Sequence, residues 1–266
     1  MATCSIPTIP NKDVSGDNLY GPRICNQAFI DWAWSAHGFS KKYWDDGFGY
    51  DAPCNNSLPL SRTLSGIWLL NYSADDYWNE QWSNNILHWG RRYVRNQIDD
   101  LRAKCGDGSA IATAFSGFLG IGRRVELYLG FFYSSNVPAR AETLVHEARH
   151  MGGKSHNARF PSWSAYGSGR SGADSSWGYN GAWMYGALYL WWFYADGRRT
   201  TSALRQSARQ RANFVIDNAF ATHPGFTIAC ASRRRAPRLA LPSVAASASA
   251  APRTSGEAAL RRRALR

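Results

Sequence analysis

The sequence predicts an α+β fold that is mostly helical with a small mixed sheet, and three observations predict it. Helix-like patterns occupy five stretches of the chain. Two short runs of strand-like composition, AIATAF and VELYLGFF, lie between them. The 266 residues are 44% hydrophobic with 12 Trp, 13 Tyr and 12 Phe, enough to enclose one large core rather than stay disordered. One domain over residues 1–231 is expected, followed by a disordered tail over 232–266.

Residues 1–72 are rich in Gly, Pro, Asn and Asp, with short aromatic pieces such as IDWAW and GIWLL. They read as loops wrapped on a core, with one short helix near Asn26 to Ala36. The period then changes: Trp78, Trp82, Ile86, Trp89, Tyr93 and Leu101 recur at helical steps, opened by Ser73 and Asp75 and closed by the CGDG turn. That predicts one long amphipathic helix whose aromatic stripe is core. AIATAF and VELYLGFF follow as strands, the second with Val125, Leu127, Leu129 and Phe131 on one face. After Ser135 and Asn136, Pro138 is pre-set for the first turn of a helix from about Ala139 to Met151. A Gly/Ser-rich loop follows to Gly178. A helix over Gly181 to Ala195, apolar all round, should be buried. A last one over Thr201 to Ala221 carries Leu204, Ala208, Ala212, Val215 and Ala219 on one stripe, with Pro224 and Gly225 to end it.

The formal charge of +12 invites a nucleic-acid reading, but nine arginines against the single Glu257 place +8 of it in residues 232–266, leaving +4 for the rest. The tail, built from Arg, Ala, Pro and Ser, lacks the apolar period needed to order itself. It implies at most weak electrostatic contact with acidic partners. The five cysteines, Cys4, Cys25, Cys54, Cys105 and Cys230, form no CxxC pair, so a thiolate metal site is not expected; four of them suffice for two disulfides. That favours an oxidising, secreted or periplasmic setting, whereas MATCSIPTIPNKDVSGDN shows no signal-peptide pattern. The longest uncharged apolar run, GAWMYGALYLWWFYA, is too short to span a bilayer.

The chemistry concentrates in HEARHMGGKSH, His146 to His156, which holds three of the six histidines. On a helix, His146 and His150 lie one above the other and can share one Zn²⁺. Glu147, one residue along, flanks the metal and is placed to take a proton from an activated water. Leu144, Ala148 and Met151 fall on the opposite face, for packing. Gly153 can take the left-handed conformation that ends a helix, eased by Gly152, so that His156 swings back as third ligand. The glutamate that follows Glu147 is Glu257 in the tail, which leaves Asp174 or Asp196 as the alternative third ligand. H-E-x-x-H alone arises by chance about once in 400 chains of this composition, and with Gly153 and His156 added roughly once in 200,000. A pair of histidines on a solvated helix is the plainer reading, and the full pattern weighs against it.

H-E-x-x-H-x-x-G-x-x-H, here His146-Glu147-Ala148-Arg149-His150-Met151-Gly152-Gly153-Lys154-Ser155-His156, resembles the zinc motif of the metzincin clan of zinc metallopeptidases. The resemblance implies a zincin-like fold, Zn²⁺ on His146, His150 and His156, Glu147 as base and proton shuttle, and hydrolysis of a protein or peptide substrate. It also implies a substrate-binding edge strand before the active-site helix, a role that Val125 to Phe132 would fill. The chain departs from the pattern at the methionine turn beneath the metal. The downstream methionine, Met184, lies in a predicted helix and reads as core, which implies a divergent member.

Tyr179, Tyr185 and Tyr189 are candidates to stabilise an oxyanion, though each also suits the core. Glu142, one turn before His146, would either orient that ring or complement the helix N-terminus. His37, His88 and His223 read as structural. Beside the peptidase stand two other readings: a non-catalytic, aromatic-rich module for glycans or peptides with a structural zinc, and nucleic-acid binding through the Arg tail. Glu147 separates the first two, because a structural zinc has no use for a free carboxylate beside it.

Overall fold

The structure is a computed structural model that describes residues 14–45, 47–74, 86–106, 110–116 and 122–229. The expected tail, Cys4, Cys230, Asp75, Trp78 and Trp82 lie outside the described residues. What is described is α+β, a little over half helical with a small mixed sheet. None of its helices is long and apolar enough to cross a membrane.

The first departure from expectation lies within residues 14–72, where four helices, α1 (Val14–Ile24), α2 (Gln27–His37), α3 (Lys41–Trp44) and α4 (Pro59–Tyr72), flank a loop that remains between α3 and α4. Only α2 matches the expected short helix. Asn26 caps it, its side chain accepting from the Phe29 N–H, and Gly38 closes it with φ +62°. α4 is buried at every position. Three of its polar residues bond back within the helix: Thr63 Oγ1 lies 2.9 Å from the Pro59 carbonyl, Asn71 Nδ2 2.8 Å from that of Ile67 and Ser65 Oγ 2.8 Å from that of Arg62. Such back-bonding lets a helix bury a mixed sequence, and so it shows no amphipathic period.

The long helix expected to reach Leu101 stops short of it. α5 runs from Ile86 to Gln97 among the described residues and so ends before Leu101. Ser73 is the C-cap of α4, and the expected start of the helix falls on residues 75–85, outside the described residues. Leu101 belongs to β1 (Asp100–Ala103), which pairs in parallel with β3 (Arg124–Leu127), Leu101 opposite Val125. β2 (Ala112–Phe115) pairs antiparallel with β3, giving the order β1-β3-β2. VELYLGFF is therefore strand only as far as Leu127. From Leu129 to Tyr133 it forms α6. Phe131 and Phe132 are consecutive and both fully buried, which a short helix allows and a one-faced strand does not.

α7 (Val137–Met151) begins as the sequence suggests, with Asn136 capping the Ala139 N–H and Pro138 in the first turn. It packs against α4, α5, α6, α8 (Ala182–Asp196), α9 (Ser202–Asn218) and β2, so it is the central helix of the fold. Every residue from Val137 to Ala148 is buried. Leu144, Ala148 and Met151 pack in the core as expected, but neighbours surround the helix on its other sides too, and His146 and Glu147 open only into a cleft. At its N-terminal half Arg140, fully buried, pairs with Asp17 of α1 at 2.5 Å and donates to the carbonyls of Arg62, Phe131 and Phe132. Arg62 approaches the same carboxylate at 3.6 Å, and the Ser65 hydroxyl, which shares its one proton between this carboxylate and the Arg62 carbonyl, lies 2.8 Å from it. This network ties α7 to α1, α4 and α6.

The Gly/Ser-rich stretch carries a two-stranded ribbon, β4 (Ala158–Arg159) and β5 (Ser171–Ala173). Cys25 and Cys54 form a disulfide that ties the end of α1 to the loop before α4, and Cys105 is disulfide-bonded as well.

Candidate metal-binding site

α7 presents His146 and His150 on one face, with Nε2 atoms 3.1 Å apart. Two ligands at ~2.05 Å in tetrahedral geometry are ~3.3 Å apart, so this separation suits a shared ion. The chain then turns. Gly152 caps the helix with φ −77° and Gly153 takes φ +84°, while the Lys154 N–H reaches back to the Arg149 carbonyl at 3.3 Å. Gly153 needs its left-handed backbone, as the sequence suggests. Gly152 is needed for another reason: a Cβ there would overlap the Tyr93 hydroxyl. The turn returns His156 to the pair, its ring 5.2 Å from that of His146 and 4.5 Å from that of His150. The three ligating atoms lie within 4.8 Å of one another, a cluster that could hold a metal ion.

Two of the rings have their tautomers set from behind. His150 Nδ1 lies 2.7 Å from the Lys154 carbonyl, which can only accept, so Nδ1 carries the proton and Nε2 keeps its lone pair. His156 Nδ1 lies 2.9 Å from Oδ1 of Asp174, with the same consequence. Asp174 is completely buried, and its Oδ2 accepts from the Trp183 N–H in the first turn of α8. A Cβ at Gly181 would meet that carboxylate, so the glycine admits it to the helix N-terminus. Asp174 thus stands behind His156 rather than among the three clustered nitrogens, and Asp196, exposed at the end of α8, lies outside the cluster. Burial, then the neighbouring rings and the Arg211 charge, holds His146 well below the usual histidine range; burial and His156 hold His150 down as well. Neutral imidazoles are the form that coordinates.

The cluster opens into a cleft of about 600 Å³. β2 and the residues flanking it, Ala110 to Ala114, form one wall; Phe160, Tyr166, Gly172 and Trp183 form another. The strand beside the site is therefore β2, the edge of the sheet, and not Val125 to Phe132, whose strand β3 is central. Glu147 lies in the cleft, 6% exposed. Burial first, and the nearby Glu142 second, push its carboxyl up to about 8, opposed by the Ala114 backbone N–H. That N–H belongs to β2, so the free side of the edge strand faces the glutamate.

Several candidates lie elsewhere. Met184 is buried within α8 and forms no turn. Tyr179 donates to the Ser155 carbonyl, Tyr185 packs against Arg149 and Trp89, and Tyr189 is sealed in the core; none lines the cleft. Glu142 is buried mid-fold against Arg211 at 3.7 Å rather than complementing the helix N-terminus. Met151 reaches the cleft instead of turning from it. His37 and His88 are buried away from it, and His223 pairs with Asp217 at 3.2 Å.

Sequence reasoning missed Trp183, Tyr166 and Arg211. Trp183 stacks on His156 and meets His146 edge-on at 4.3 Å, and Tyr166 packs on Trp183 at 4.9 Å. These residues come from a loop and two later helices, and no local spacing marks them. Comparison with protein-family models, with curated proteins and with solved structures found no match.

Proposed function

We propose that this chain is a zinc-dependent metallopeptidase of zincin type, a divergent one, that hydrolyses peptide bonds. The observation that supports it most is the conjunction of three histidines, two of them aimed by buried acceptors, with Glu147 beside them at the free edge of a strand. His146, His150 and His156 would hold the ion, and three nitrogen ligands with an open side towards the cleft suit a catalytic zinc. A bound Zn²⁺ would supply Lewis-acid polarisation of the scissile carbonyl and acidify a water. Glu147 would accept a proton from a water in the cleft and pass it to the leaving amine. A cation beside Glu147 favours its charged form and so opposes the upward push of burial. Asp174 holds His156 in place through its Nδ1. An extended peptide lies along β2, adding to its open edge through main-chain hydrogen bonds.

The alternative, a glycan- or peptide-binding module with a structural zinc, has less to stand on. Among the described residues the exposed large aromatics are Trp163 and Phe214, and a structural site has no role for Glu147. The Cys25–Cys54 bond fits an oxidising compartment, so export is part of the proposal. Elemental analysis of the purified protein should find about one zinc per chain, lost in His146→Ala and in His150→Ala. Protein without a transition metal whose melting temperature added zinc does not raise would overturn the reading.

A further inference from the structure

The cleft carries charges that the hydrolytic reading does not use. Of its lining residues, Glu142, Glu147, Arg170 and Arg211 are formally charged. Glu147 faces the metal position. Glu142 is enclosed, with Oε1 against α8 where a Cβ at Gly186 would collide with it, and Oε2 is 3.7 Å from Nε of Arg211. The glycine at 186 thus lets α8 close over a carboxylate whose evident partner is the guanidinium on α9. Glu142 is 2% exposed at its side chain whereas Arg211 keeps 24%, so the pair is anchored at the acid and open at the base. Tyr166 lines the same part of the cleft and interacts with the guanidinium as well. Arg170, whose guanidinium lies 3.4 Å from the Tyr166 carbonyl, adds a second positive charge to the same cleft.

The position of Arg211 is set by the helix that carries the histidines. Glu142 and His146 are four residues apart on α7, and so they stack one turn apart, about 5–6 Å. A group paired with Glu142 therefore stands one side-chain length from the ion position. A guanidinium with five N–H donors at that distance fits a carboxylate on the residue next to the bond being cut.

We propose that Arg211, assisted by Arg170, forms a carboxylate subsite that selects peptides bearing an acidic group beside the bond held at the histidine cluster. The carboxylate is either an Asp or Glu side chain or a free chain terminus. Glu142 is its positioning residue. The proposal rests on the peptidase reading for where the scissile bond lies, but the charge preference can be measured by binding alone.

Zinc-saturated Glu147→Gln protein, in the full chain, is titrated by calorimetry with capped hexapeptides Ac-Ala-Ala-Ala-Xaa-Ala-Ala-NH2, where Xaa is Asp, Asn, Glu, Gln or Lys. Ac-Ala-Ala-Ala-Ala as free acid and as amide tests the chain terminus. An acidic group should tighten binding about tenfold over its amide isostere, as charge-assisted hydrogen bonds are the stronger kind. The Asp/Asn or acid/amide ratio that responds identifies the source. Adding Arg211→Gln should bring the ratio to about one, Arg211→Lys should retain part of it, and Glu142→Gln should lower it, because the guanidinium loses the carboxylate that positions it. If Arg211→Gln unfolds the protein by stranding Glu142, the Glu142→Gln/Arg211→Gln pair carries the same expectation. Equal binding of Asp and Asn peptides, or a ratio untouched by loss of Arg211, overturns the subsite. A preserved ratio in protein that hydrolyses nothing would fail the peptidase reading and spare the subsite; hydrolysis without acid preference would do the reverse.

Discussion

Asp174 offers the sharpest separation between orienting a ligand and holding the fold. Its Oδ1 receives the His156 Nδ1 proton at 2.9 Å and its Oδ2 accepts from the Trp183 N–H at 3.2 Å. Asp174→Asn keeps the shape and can still accept one bond, but removes the charge that makes His156 a better ligand. Loss of such an outer partner weakens metal binding by about 10–100-fold, or roughly 1.4–2.7 kcal/mol. Stability should change little, because the helix cap survives. Asp174→Ala removes both bonds. The loss of zinc affinity should then lie at the upper end of that range, and the lost cap costs about 1 kcal/mol more. At 2–4 °C per kcal/mol the second variant should melt a few degrees lower without metal, and the first should not. Competition titration against a chelator of known affinity, with calorimetric melting of the metal-free proteins, separates the two effects. If both variants bind zinc as tightly as the parent, His156 is not a ligand aimed by Asp174, and the site reduces to the His146–His150 pair.

Two further outcomes follow from buried charge. Asp17→Ala should destabilise the protein by about 3–5 kcal/mol in urea unfolding, because it strands the guanidiniums of Arg140 and Arg62 in the core; a loss under 1 kcal/mol would mean that the network does not need its carboxylate. His37 is held down to about 3, chiefly by burial and then by the Arg95 charge. Its folded form is neutral while the unfolded chain protonates near 6.5, so its contribution is full above pH 6.5 and is lost as pH falls towards 3. Between pH 7 and pH 5 this amounts to about 2 kcal/mol, and His37→Phe should flatten the stability curve by that much; parallel curves would refute the assignment.

The site was legible because its geometry is local. His146, Glu147, His150, Gly153 and His156 fall within eleven residues of one helix and its turn, where 3.6-residue spacing and one left-handed glycine decide what can meet. Asp174, Tyr166, Trp183 and Arg211 reach the same cleft from separate elements, and only the fold brings them there. Among the elements, α7, α8 and α9 follow from caps and apolar runs. α9 ends at Asn218, ahead of Pro224, because Phe220 pairs with Asp174 and the Ala221 N–H bonds to the Asp174 carbonyl. α1 and α4 were hidden for opposite reasons: the first contains Gly21 and Pro22, and the second buries Ser, Thr, Asn and Arg by bonding them within the core. The break at Tyr128 was hidden by an alternation that continues past Leu127 although the strand does not. Glu142 was read by its place on the helix, and its burial depends on α8 and α9, which the sequence does not position.

The central claim is that Glu147 is a general base beside a zinc held by three histidines. Hydrolysis of a peptide or casein substrate, measured for zinc-saturated parent and Glu147→Gln at equal metal content, tests it most directly. The substitution keeps size and hydrogen-bonding reach and leaves His146, His150 and His156 in place, so zinc content should match the parent while the rate falls by about 10² to 10⁴-fold. A parent that holds zinc yet cleaves nothing across a broad peptide library, or a Glu147→Gln protein as active as the parent, would contradict it.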